Sequence, residues 1–367
     1  MDLPDSGYHY SVIDYASSCA WATNGAVITI SPGVVIAGFC TPSFGTAYAL
    51  MVDRGTKLRV QGTSSQPCEF VWFNSVQEQS GTAWQGAVGA HLVSSAFFGP
   101  AAATEINLRF CEFSTLGNAS VNLFEQDGYD STALPVVIRD SQFHGGAVYL
   151  AVNQFNSTNC ILDRSGTWVD LDLSDGAAKV NLRNWLISGA YLQAWGLTTN
   201  QFSIRDSVFY QSILDNSGGA WDHGWNAYQT NGCTNCNVLA GNVGTNYIGT
   251  VSFVSGPLGN YYLPTNSALV DLGSISNAAT VGFYHFTTST NQVLEATNRL
   301  DIGWHYIATV SSSSTSALDS DQDGIPNYLE DINSNWIFDA GETDWNTYNS
   351  TYGIGTGAGL VVFTPLK

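Results

Sequence analysis

The chain has 367 residues, of which 11 are Lys or Arg and 30 are Asp or Glu, giving a formal charge of −19 with only 11% charged residues. A hydrophobic content of 44% supplies enough apolar surface to offset the entropy of ordering, which excludes a disordered chain. No basic stripe exists to hold nucleic acid or an anionic membrane surface. The most apolar window, residues 83–103, is interrupted by Gln85, His91, Ser94, Ser95 and Pro100, so no membrane span of the ~18 apolar residues required is expected.

At the N-terminus, Met1-Asp-Leu-Pro-Asp5 has neither the basic region nor the apolar run of a signal peptide. Few Lys, many Thr, Asn, Gly and Trp, and acidic loops nevertheless point to an extracellular or cell-surface protein. The expectation is therefore a chain that starts after processing or is a segment of a longer one. Seven cysteines follow, at 19, 40, 68, 111, 160, 233 and 236. Cys233 and Cys236 form a CxxC pair with neither the second ligand pair of a zinc site nor the βαβ context of a redox motif. A local disulfide or two buried thiols is expected there, and buried thiols at Cys111 and Cys160.

Helical periodicity is nearly absent. Short alternating runs of β-branched and aromatic residues are separated by Gly, Asn, Asp and Ser, the pattern of strands and turns. In the middle of the chain these runs fall into register. Leu108-Arg-Phe-Cys-Glu-Phe113 aligns with Ile138-Arg-Asp-Ser-Gln-Phe143, Ser157-Thr-Asn-Cys-Ile-Leu162, Leu182-Arg-Asn-Trp-Leu-Ile187 and Ile204-Arg-Asp-Ser-Val-Phe209, at spacings of 30, 19, 25 and 22. Loose, strand-rich periods in the twenties indicate a solenoid. Stacking coils at the ~4.8 Å strand spacing would bury Phe113, Phe143, Leu162, Ile187 and Phe209 as one column, as in an all-β parallel β-helix. Asp140, Asn159, Asn184 and Asp206 would stack at a turn, where Asn and Asp tolerate tight backbone. A β-sandwich is the alternative.

These repeats, with the closing stretch Leu263-Pro-Thr-Asn-Ser-Ala-Leu-Val-Asp-Leu-Gly273, resemble secreted bacterial right-handed parallel β-helix proteins of the pectin-lyase-like type. The closing stretch is similar to the P-x-S-A-I-D-x-G segment with which many of them end. The expected organisation is a parallel β-helix over 1–308, a Ser/Thr linker over 309–318, tandem calcium loops over 319–345 and a C-terminal tail with a strand over 346–367. An internal echo is also present: Asp5-Ser-Gly-Tyr-His-Tyr10 matches Asp301-Ile-Gly-Trp-His-Tyr306, with a looser copy at Gly282-Phe-Tyr-His-Phe286.

The most specific motif is acidic. Asp319-x-Asp321-x-Asp323-Gly324-x5-Glu330 matches a twelve-position calcium loop. Side chains one, three and five converge on one hard cation, and Gly at six permits the sharp turn. Position seven offers the backbone carbonyl of Ile325, and Glu330 at twelve adds a bidentate carboxylate. Asp331, Asn333, Asn335, Ile337, Asp339 and Glu342 repeat the pattern, with Trp336 in place of Gly. Eight carboxylates and no Lys or Arg lie between Asp319 and Asp344. A solvated acidic tail explains that charge but not the spacing, so two Ca2+ ions are expected. The pair resembles the tandem loops of thrombospondin type 3 repeats and dockerins.

Resemblance to pectin-lyase-like proteins also raises the possibility of a polysaccharide lyase, with Arg139–Asp140 and Arg205–Asp206 as candidates in register. Asn159 and Asn184 share the Asp column, however, which reads as a turn ladder, and no glycosidase, G-x-S-x-G, H-E-x-x-H or phosphate-loop motif occurs. Trp221, Trp225 and Tyr228 around Asp222-His223 offer flat faces for sugar stacking, with core packing as the alternative. The expectation is a non-enzymatic extracellular structural subunit that self-associates head to tail into a fibre or surface array. The alternatives are an adhesin binding cell-surface polysaccharide and a pectate-lyase-like enzyme.

Overall fold

A computed structural model describes residues 12–39, 48–53, 55–73, 90–96, 104–115, 121–127, 136–151, 154–164, 179–197, 201–219, 221–233, 235–239 and 243–348. The chain divides into two compact units. The first comprises Met1–Ser252, Ser267–Ser274 and Ile302–Trp304; the second comprises Phe253–Asn266, Ile275–Asp301 and His305–Lys367. The N-terminal copy of the D-x-G-aromatic-H-aromatic echo, residues 5–10, and the strand expected at 359–367 lie outside the described residues.

The first unit is all-β and its strand pairs are parallel. One 15-stranded sheet runs through Tyr15–Ser17, Val35–Gly38, Cys68–Trp72, Cys111–Thr115, Val136–Gly145, Gln154–Asp163, Lys179–Ser188, Val208–Tyr210, Ala227–Gln229 and Tyr247–Ile248, with shorter strands alongside. A 5-stranded sheet is built from Ala20–Ala22, Tyr48–Val52, Ala90–Ala96, Val121–Asp127 and Ala147–Ala151, and a 2-stranded one pairs Tyr191–Leu197 with Ile213–Gly219. The strands alternate where one face meets solvent, as in Lys57–Gln61, where Leu58 and Val60 are buried and Arg59 and Gln61 exposed, and become continuously buried past the turn, as over residues 184–187. Ile161 and Leu186 are buried although Leu162 and Ile187 beside them face the inner column.

The register is the one the repeats dictate. Phe113 pairs with Phe143, Phe143 with Leu162, Leu162 with Ile187 and Ile187 with Phe209. The column extends further, to Phe70 and then Ile36 at one end and to Tyr228 at the other. The rings stack: Phe70 on Phe113 at 4.7 Å and Phe113 on Phe143 at 5.0 Å between centroids. At the turn, Asp140, Asn159, Asn184 and Asp206 all take left-handed backbone, with φ between 52° and 57°, a conformation that Asn and Asp adopt more readily than other non-glycine residues. Phe110 and Trp225 hold the same conformation. Asn159 Nδ2 donates to Asp140 Oδ1 at 2.8 Å, tying neighbouring turns together. Cys68, Cys111 and Cys160 are buried free thiols, and Cys233 is bonded to Cys236.

Among the described residues the last parallel strand is Tyr247–Ile248, with one isolated parallel bridge, Leu263–Ser289, beyond it. In the second unit the strands are short and antiparallel: Val254–Gly256 with Gly259–Tyr262, and Phe286–Thr287 with Tyr306–Ile307. Pro257 and the flanking glycines favour a tight reversal over a long crossover. Tyr262 and Tyr306 stack at 4.1 Å, and His305 and Glu295 form a buried pair. The Ser/Thr stretch 309–318 closes on itself through the Thr309–Ala317 bridge and Val310 N to Ser316 O.

Candidate metal centre

The loop from Asp319 to Glu330 is shaped by its own side chains. Asp319 Oδ1 and Oδ2 accept from the backbone N–H groups of Gln322 and Gly324, at 2.8 and 3.0 Å. Asp321 accepts from Asp323 N and Asp323 from Ile325 N. Each is a short Asx-type bond that competes with regular structure and fixes a turn. Gly324, at φ 96°, makes the reversal. The three carboxylates consequently converge, with one ligand oxygen of each within 4.8 Å of the others.

Glu330 lies close enough to the three aspartates to feel their charges. It ends the short helix Asn327–Glu330, whose Asn327 and Tyr328 are buried. Asn327 anchors the helix to Ser320, accepting from Ser320 N at 2.7 Å and donating to Ser320 Oγ at 2.8 Å. Glu330 is fully buried, and neither of its carboxylate oxygens has a hydrogen-bond partner. Burial, reinforced by the charges of Asp321, Asp323 and Asp319, pushes its carboxyl up to about 7, and the Thr343 hydroxyl lies near enough to offset this in part without making a hydrogen bond of normal geometry. Asp321 is raised by burial, Asp323 and Asp319, and one of its oxygens is also buried without a partner. A buried ionised carboxylate is costly unless paired or metal-bound. Asp319, Asp321 and Asp323 are the one cluster of possible ligands among the described residues whose oxygens lie within metal-sharing distance of one another, with Glu330 close enough to feel their charges.

The second loop, 331–342, has the same backbone course and different side-chain partners. Asp331 is fully buried; its Oδ2 lies 3.0 Å from His285 Nε2 and accepts from Trp336 N, while Oδ1 accepts from Asn335 N. Asn333 and Asn335 each donate an amide N–H to Asp339 Oδ2 at 2.9 Å. Those two bonds hold the Asp339 carboxyl below its ordinary range. Glu342 accepts from Asp339 N at 2.9 Å and Asn333 N at 3.4 Å. Trp336, with φ 70° at the position where Gly is expected, stacks on Tyr284 at 5.7 Å. His285 is the participant that spacing rules do not find; its only trace in the sequence is the echo Gly282-Phe-Tyr-His-Phe286.

The other candidates are placed differently. Asp140 is buried and bonded to Arg109 Nε at 3.0 Å and Arg139 Nε at 3.2 Å. Asp206 is buried and paired with Arg183, while Arg205 pairs with Asp222 at 2.6 Å. These arginines neutralise the turn ladder and leave Asp140 and Asp206 inaccessible to a substrate. Trp221 and Tyr228 are core residues at 2% and 1% exposure, so neither offers a face to a sugar, and Trp225 lies against the Arg205 guanidinium. Neither protein-family models nor curated proteins yield a match to this chain.

Proposed function

We propose that this chain is a non-enzymatic extracellular structural module: a right-handed parallel β-helix of the pectin-lyase-like kind, braced by Ca2+ in the loop 319–330. The observation that carries the reading is Glu330, a fully buried carboxylate with no hydrogen-bond partner, beside three converging aspartates. A cation there would offset the mutual repulsion of the four groups and join the helix Asn327–Glu330 to the Asp319–Asp323 turn. The in-register columns and the chain-order succession of parallel strands support the β-helix.

The module associates end to end with further copies. Supporting this, Tyr15–Ser17, Ala20–Ala22 and Val27–Ile30 each pair on one side only among the described strands. Val12, Tyr15, Trp21 and Val27 are exposed there. Strands that pair on one side only among those described, with apolar side chains exposed on them, favour addition of another chain, and a heterologous contact of this kind propagates rather than closes. The charge of −19 opposes assembly at low salt, so calcium promotes it. Light scattering and electron microscopy with and without calcium test the reading. Filaments that dissolve in chelator are the expected result; a monomer at high concentration with calcium present overturns the assembly.

A further inference from the structure

We propose that the chain holds one cation rather than two: the loop 331–342 is a cation-independent copy of the loop 319–330, closed by its own amide groups and by His285. This rests on the calcium reading of the first loop and concerns only what the second loop does. It departs from the two-ion expectation drawn from the spacing of acidic residues.

The two loops match position by position, and three of the bonds that hold their backbones correspond, while Asp319 Oδ1 accepts from Gln322 N and Asp331 Oδ1 from Asn335 N. Gly324 N to Asp319 Oδ2 corresponds to Trp336 N to Asp331 Oδ2, and Ile325 N to Asp323 Oδ1 corresponds to Ile337 N to Asn335 Oδ1. Asp323 N to Asp321 Oδ1 corresponds to Asn335 N to Asn333 Oδ1. The remaining differences lie in the side chains.

At position twelve, Glu330 has two buried oxygens without a partner, whereas both oxygens of Glu342 accept backbone N–H groups. At positions three and five, two aspartates are replaced by Asn333 and Asn335. Their side-chain orientation is fixed by the bonds they make: each Oδ1 accepts a backbone N–H, so each Nδ2 is free to donate, and both donate to Asp339. At position nine, Asn327 turns away to Ser320, whereas Asp339 turns in to collect these two amides. At position one, Asp331 has an oxygen committed to the buried His285 ring.

Every carboxylate of the second loop thus has donors. A cation entering it would have to replace the Asp339 and Glu342 bonds, and it would meet three carboxylates instead of four. Affinity in loops of this design follows the number of charged ligands and the freedom of the site to rearrange. An unmet carboxylate gains most from a cation, because one already hydrogen-bonded loses those bonds on binding.

The test is calcium stoichiometry of the intact chain by native mass spectrometry and calorimetry, using calcium alone, on the wild type, Glu330→Gln and Glu342→Gln. Hydrogen exchange in chelator provides a readout independent of the variants. One ion per chain is expected, lost in Glu330→Gln and retained in Glu342→Gln, with residues 331–342 keeping their amide protection in chelator while 319–330 lose theirs. Two ions per chain overturn this inference and leave the calcium reading standing. No ion in the wild type overturns the calcium reading itself. A single ion that is lost with Glu342→Gln, or equal loss of protection in both loops on chelation, overturns the assignment of the site to the first loop.

Discussion

Asp206 accepts two hydrogen bonds from Ser274, from its backbone N–H at 2.6 Å and its hydroxyl at 2.7 Å, across a sequence separation of 68. The same carboxylate pairs with Arg183, and Gly303 N donates to its backbone carbonyl. Ser274, which directly follows the stretch 263–273 read in the sequence as a closing segment, is thus fastened to the turn ladder at its last acidic step. Burial raises the Asp206 carboxyl, against the opposing pull of Arg183 and Ser274. Removing one partner of such a buried pair costs about 3–5 kcal/mol, whereas losing a single neutral hydrogen bond costs about 1 kcal/mol. Asp206→Ala should therefore be far more destabilising than Ser274→Ala in urea unfolding. Equal effects would show that the carboxylate does not carry this junction.

Phe143 lies in the aromatic column against Phe113, with Trp185 beyond at 6.4 Å, and is fully buried. Phe143→Ala is expected to cost about 3–5 kcal/mol, through lost transfer energy and the cavity left between rigid neighbours. Phe143→Leu, which keeps most of the volume and matches Leu162 in the next strand, should cost much less. Chemical denaturation of the two variants decides it.

Burial pushes the Asp163 carboxyl up, but hydrogen bonds and charges from His144 and Arg164 outweigh it and hold the group below its ordinary value of 3.8. A depressed acid contributes stability that is present above its unfolded value and lost as pH falls through the folded one. The wild type should therefore lose melting temperature on going from pH 5 to pH 3 more steeply than Asp163→Asn. Parallel curves for the two proteins would contradict the assignment.

Burial raises Cys68 to about 11, Cys160 to about 12 and Cys111 well above the ordinary thiol range. Thiolate is the reactive form, so all three should resist alkylation at pH 8 in the folded protein and react together on unfolding. Peptide mass spectrometry after timed alkylation reads this directly. Prompt labelling at Cys111 would mean that the column opens locally.

The strand register was legible because each coil repeats the same local choices, an apolar residue inside and an Asn or Asp at the left-handed turn, so aligned sequence becomes aligned structure. Phe70 and Tyr228, further members of the column, were missed because Cys68–Trp72 and Ala227–Gln229 are not preceded by the Arg-Asp signature. The first acidic loop was legible for a similar reason: its carboxylates are spaced by the turn they create. Glu330's burial and His285's approach to Asp331 come from tertiary packing, which spacing does not encode. At 309–318 composition does not show the local bonds, where Thr309 Oγ1 bonds Ser311 O and Ser316 N bonds Ser314 Oγ. The hydroxyls that suggest a flexible linker are the groups that fasten the turn.

Parallel, in-register stacking also sets how the first unit yields to force. Neighbouring strands are joined by a ladder of backbone bonds and by stacked side chains, so a pull that lifts one terminus off the sheet breaks one ladder at a time rather than all together. Coils 19 to 30 residues long would each release roughly 65 to 105 Å of extended chain. A filament of such modules would be stiff along its length in shear and would fail from an end, coil by coil, dissipating work in many small steps.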